Sequence, residues 1–105
     1  MEKIMRYVNK RGKVVEIPLS KILQISDPEY INPLVIHLIS AQMGIDLNKI
    51  DINELTAGVK VEMEHADVTG GDLESTVKLA MAHLNEIPDY YTRLEAMESH
   101  AKEKA

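Results

Sequence analysis

The chain contains no cysteine, no tryptophan and no phenylalanine among its 105 residues. Without thiols it can form neither a disulfide framework nor a thiolate metal site. That absence fits a reducing compartment, and the cytoplasm is the expected location. Tyrosine is the only aromatic residue type, which leaves little surface for stacking nucleobases. Long apolar runs are also missing. The longest candidate, residues 33–43, contains His37 and Gln42 and is too short for a bilayer. The opening Met1-Glu2-Lys3-Ile4-Met5-Arg6 lacks the apolar core of a signal peptide. No membrane association is expected. Ser20, Ser26, Ser40, Ser75 and Ser99 have no nucleophile-elbow motif around them, and Gly70-Gly71 is too short for a phosphate-binding loop. No catalytic set can be assembled, so neither an enzyme nor a cofactor is expected.

What is present is one domain's length of sequence with an uneven charge. The net charge is −5, yet Lys3, Arg6, Lys10, Arg11 and Lys13 crowd the first thirteen residues against Glu2 alone. A solvated hairpin accounts for that cluster. Nucleic-acid contact through it is the weaker alternative, because the rest of the chain is acidic and only Tyr7 stands nearby.

Residues 4–9 and 13–17 are short runs rich in apolar and β-branched residues, joined by Lys10-Arg11-Gly12. A β-hairpin within residues 1–18 follows, with glycine where a positive φ is needed. Leu19–Ile25 has room for one or two helical turns. Helical patterning then fills residues 32–103. Asn32 reads as an N-cap before Pro33, and Gly44 as the closing residue. Asp51-Ile52-Asn53-Glu54 has capping-box spacing and should open a helix to about Ala66, with Ile52, Leu55, Val59, Met63 and Ala66 inward. Thr69-Gly70-Gly71-Asp72 should break the chain and cap a helix to about Glu86, with Leu73, Val77, Ala80, Leu84 and Ile87 inward. Pro88 should start a last helix with Tyr90, Leu94, Met97 and Ala101 on one face. The expected fold is mainly α: a small bundle of four helices with an N-terminal β-hairpin, in a single domain spanning 1–105.

Two segments carry a resemblance. Gly58-Val59-Lys60-Val61-Glu62-Met63-Glu64-His65 is followed by Ala82-His83-Leu84-Asn85-Glu86-Ile87-Pro88-Asp89-Tyr90-Tyr91-Thr92-Arg93-Leu94. Together they resemble a small uncharacterised family of prokaryotic and bacteriophage proteins, a domain of unknown function. The likeness covers about residues 44–98 and leaves the hairpin and first helix without a counterpart. It implies a phage-associated or host accessory factor and assigns no chemistry.

The same residues raise a metal reading. Glu62-x-x-His65 and His83-x-x-Glu86 each set a carboxylate and an imidazole three apart on a helix, a spacing used by metal-binding bundles. Folding the two helices about Thr69 places His83 level with about Thr56, so the histidines lie roughly 13 Å apart along the axis. One ion could not touch both. A metal site would then use Glu62 and His65, completed across a homodimer. The competing expectation is structural: His83 clamped by Tyr90 and Tyr91, with Glu86 in the same polar cluster. His65 would be tied to Asp67, Asp72 or Glu98. Glu62 is expected at the rim of the packed face, with Arg93 or Lys78 as its partner should it be buried. The function expected from these readings is a non-enzymatic domain that acts through contacts with a protein partner.

Overall fold

A computed structural model describes residues 3–64 and 72–104 of the chain. Two antiparallel strands, β1 (Ile4–Val8) and β2 (Val14–Pro18), form the hairpin. Its three-residue loop works as the sequence requires. Gly12 takes φ 77°, and its N–H bonds the Asn9 carbonyl at 3.0 Å. The Asn9 side chain accepts from the amides of Arg11 and Lys13 at 2.9 and 3.0 Å. Alternation sends Met5, Tyr7, Val15 and Ile17 toward the body, while Ile4, Arg6, Val8, Val14 and Glu16 face outward. Pro18, which has no N–H to continue the ladder, ends β2, and two 3₁₀ turns, Leu19–Gln24 and Pro28–Tyr30, lead away from it.

Four helices follow: α1 (Pro33–Met43), α2 (Ile52–Glu64), α3 (Leu73–Glu86) and α4 (Tyr90–Lys104). Their ends are set by local side chains. Asn32 accepts from the Val35 amide at 3.0 Å, and Gly44 closes α1 at φ 71°. Asp51 accepts from the amides of Asn53 and Glu54 at 2.7 and 3.2 Å. Asp72 accepts from the Ser75 amide and hydroxyl at 3.3 and 2.8 Å. These two bonds hold the Asp72 carboxyl below the ordinary carboxylate range, the hydroxyl being the larger cause.

The core lies where α1, α2 and α3 meet under the hairpin. Ile22, Ile31, Val35, Ile36, Ile39, Leu55, Val59 and Val77 are fully buried there. Two helices are rotated from the expected packing. On α2 the inward stripe is Leu55, Gly58, Val59 and Glu62, with Met63 only half-buried. On α4 the buried residue is Tyr91, while Tyr90 is half-buried and Met97 is 62% exposed. Ile87, expected inside, is also exposed. The two rotations meet at one contact: the Tyr91 ring lies over Gly58, where a Cβ would collide with it. No helix among the described residues is long and apolar enough to cross a membrane.

Candidate functional site

Three residues of α2, four apart and so on one helical face, meet one tyrosine of α4 along its whole length. At the backbone end, the Glu54 carboxylate accepts from the amides of Tyr91 and Thr92 at 3.2 and 3.4 Å, and from the Thr92 hydroxyl. Those amides belong to the first turn of α4, where helix donors have no partner within the helix. A carboxylate from a neighbouring helix supplies one and also offsets the positive end of the dipole. In the middle, Gly58 lies under the aromatic ring. A Cβ there would collide with Cε2 and Cδ2 of Tyr91. At the far end, the Tyr91 hydroxyl donates to Glu62 Oε1 at 3.0 Å.

His83 of α3 completes the cluster. Its Nδ1 is 3.1 Å from the Tyr91 hydroxyl and 3.4 Å from Glu62 Oε1. The phenol gives its own proton to Glu62, so the order that satisfies these three atoms is Nδ1–H to Oη, then Oη–H to Oε1. Tyr90 stacks on the imidazole, with ring centroids 4.5 Å apart at 23°, and meets Tyr91 edge-on at 5.0 Å. Burial, then the hydrogen bond to Glu62 and its negative charge, push the Tyr91 phenol far above its ordinary range. Tyr91 therefore serves as a neutral donor at any physiological pH.

The sequence-expected residues fall into three groups. His83, Tyr90 and Tyr91 come together. Glu86 does not join them: it is exposed at the end of α3, and Glu62 stands in the cluster instead. Glu62 is buried rather than at the rim, with 11% of its side chain exposed. Its expected cationic partners are elsewhere, Arg93 on Asp89 at 2.7 Å and Lys78 on Glu74 at 3.4 Å. His65 and Asp67 lie outside the described residues, and so does that half of the Glu62–His65 pair. His37 and His100 are exposed.

Folding about Thr69 set His83 opposite Thr56, yet its ring reaches Glu62. That count treats the helices as parallel rods and ignores the reach of a glutamate, a histidine and a tyrosine between them. Glu54 and Gly58 were not singled out as site residues. The signal that joins them to Glu62 is the four-residue repeat Glu54, Gly58, Glu62, which puts a glycine, a poor helix former, between two carboxylates.

A family model described as a protein of unknown function (DUF5661) matches residues 36–100, more than half of the chain. The chain belongs to that family. No curated protein and no solved structure matches it. The DUF5661 match begins inside α1, earlier than the resemblance at Gly44, and takes in Glu54, Gly58, Glu62, His83, Tyr90 and Tyr91 together. The hairpin stands outside it. The cluster therefore sits within the DUF5661 region, and residues 1–35, the hairpin among them, lie outside it.

Within the cluster, His83 Nδ1, the Tyr91 hydroxyl and Glu62 Oε1 are each partnered. The described residues hold no group of three His, Cys, Asp or Glu side chains placed to bind an ion. An ion bound by Glu62, His83 and Tyr91 would have to displace the phenol proton, which the burial and neighbouring charge of Tyr91 oppose.

Proposed function

We propose that the protein is a non-enzymatic interaction domain, an accessory factor that presents its N-terminal hairpin to a protein partner. One observation carries this reading. Ile4, Val8 and Val14 are 50%, 65% and 54% exposed, and all three point out from the same face of the hairpin. Val8 and Val14 are directly paired in register, as are Ile4 and Pro18. Single exposed apolar residues are ordinary; here Val8 and Val14 are adjacent, and Ile4 with Pro18 extends the same face beyond the Arg6–Glu16 pair, which makes it a candidate contact surface. The buried polar cluster supports the same reading, because its bonds join α2, α3 and α4 to one another. Charge also favours protein over nucleic acid. Arg6 is paired with Glu16 at 3.0 Å and Arg11 with Glu29 at 3.6 Å, which offsets two of the five basic residues of the hairpin. The phage or prokaryotic setting rests on the family resemblance alone.

The test places a photo-crosslinking residue at position 8 in native host cells, with and without Ile4→Asp and Val14→Asp on the same face. A discrete crosslinked partner that disappears in the outer-face variants is expected. A crosslinking pattern unchanged by those variants would overturn the reading.

A second reading is favoured by the 3.4 Å approach of His83 Nδ1 to Glu62 Oε1, a nitrogen and an oxygen ligand on adjacent helices. A transition-metal ion held by Glu62 and His83, or by Glu62 and His65 across a dimer, would raise the melting temperature on addition of zinc or manganese. Elemental analysis of the purified protein without metal, together with an unshifted melt, rejects it.

A further inference from the structure

The hairpin has a free edge as well as a free face. The Asn9 amide bonds the Lys13 carbonyl and the Leu19 amide bonds the Lys3 carbonyl, each at 2.9 Å. In an antiparallel ladder bonded and non-bonded pairs alternate, so Met5 with Ile17 and Tyr7 with Val15 are the bonded pairs between them. The N–H and C=O groups of Val14 and Glu16 consequently point away from β1. Nothing among the described residues bonds them on that side.

Beside this edge runs an open groove of about 610 Å³, within the size range of ligand sites. Its floor includes Ile17, and its opposite wall is residues 24–30, with Ile25 half-buried and Tyr30 41% exposed. The charges lining the groove are not balanced once their partners are counted. Glu16 is held by Arg6 and Glu29 by Arg11, while Asp27 accepts the Glu29 amide at 2.9 Å and keeps its charge; it is outnumbered by two lysines. Lys13 and Lys21, one before β2 and one after it, have no partner among the described residues and both line the groove. The net unmet demand is a row of backbone hydrogen bonds, an apolar floor and a cation toward each end.

We propose that the free edge of β2 and its groove take up an extended acidic peptide segment of a partner protein as a third strand. The peptide backbone pairs with Val14 and Glu16. Its alternate apolar side chains enter the groove against Ile17, Ile25 and Tyr30, and carboxylates near its ends meet Lys13 and Lys21. Strand addition of this kind draws affinity from backbone bonds and specificity from the alternate side chains. A second copy of this chain is a poorer occupant, because its own β2 brings another Lys13 to an edge that already has unpaired lysines.

The inference rests on the interaction reading above, and the two fail separately. That reading is tested in cells through outward side chains, and this one is tested in solution through backbone groups and lysines. The probe is a synthetic blocked peptide, Glu-Val-Thr-Val-Thr-Val-Glu, titrated into the full chain and followed by amide NMR. Downfield shifts and slowed exchange at the amides of Val14 and Glu16 are expected, with perturbations confined to β2 and residues 24–30. Glu16→Pro removes an outward N–H that the hairpin ladder does not use, and should weaken binding at least tenfold. Lys13→Glu with Lys21→Glu should lose the acidic peptide and gain its lysine-ended counterpart, which keeps the test decisive if the proline variant misfolds. Absent shifts, shifts elsewhere, or affinity unchanged by both variants would overturn the proposal. So would the same shifts produced by concentrating the protein alone, which indicates a second copy, or by a single-stranded oligonucleotide.

Discussion

Polar groups at the seam of α2, α3 and α4 are turned inward and partnered, whereas those along β2 are turned outward and left open. At the seam, Glu54, Glu62, His83 and Tyr91 satisfy one another and the first turn of α4. On the hairpin, the outward backbone groups of Val14 and Glu16 meet nothing among the described residues, and three apolar side chains face water. A buried polar atom without a partner costs stability, so a partnered cluster is chiefly an account of folding. Open strand edges are a liability that a chain keeps only where something covers them or charge guards them. The difference separates the residues that hold the molecule together from those available to a partner.

That contrast can be broken at several points. Tyr91→Ala should be the most damaging, lowering stability by about 3–5 kcal/mol, because it removes a buried aromatic ring and both ends of its hydrogen-bond set. Chemical denaturation monitored by circular dichroism measures it. His83→Ala should cost about 1–3 kcal/mol through lost stacking on Tyr90 and an unmet phenol oxygen. A melt matching the parent would mean that the histidine is there for something other than the fold.

Gly58→Ala should cost about 1–2 kcal/mol, since overpacking against a ring held at both ends outweighs the gain in helix propensity. Tyr91→Phe isolates the proton. The Tyr91 phenol is raised from 10.0, so its contribution is complete below pH 10 and is lost as pH rises further, when the unfolded chain ionises first. The stability gap between parent and Tyr91→Phe should therefore narrow above pH 10. On the hairpin, Val8→Thr with Val14→Thr should leave stability within about 0.5 kcal/mol. A large loss there would return the outer face to the folding account and remove the contrast.

Local features were legible in the sequence and non-local ones were not. Asn32, Gly44, Asp51 and Asp72 act within four residues of themselves, and each does what its spacing predicts. The Gly12 turn is equally local. Asp51-x-x-Glu54 was half legible: Asp51 caps α2, but Glu54 turns away from its own helix to serve the amides of Tyr91 and Thr92. That choice depends on where α4 lies, which no spacing within α2 encodes. Glu62 was misplaced for the same reason. An apolar stripe drawn through Val59 and Met63 treats a carboxylate as a rim residue, and only the phenol and imidazole from two other helices make its burial tolerable. His83 beside the tyrosines was within reach of a count because the Ile87–Asp89 turn is short.

Gly58 and Tyr91 have a consequence for descent as well as for stability. The ring fills the space that a side chain at position 58 would need, and the hydroxyl reaches Glu62 only while that space stays open. The two positions are thus coupled by volume. A lineage of this family that places alanine at the first must reduce or reorient the residue at the second, and paired changes at these positions would be the signature of that exchange.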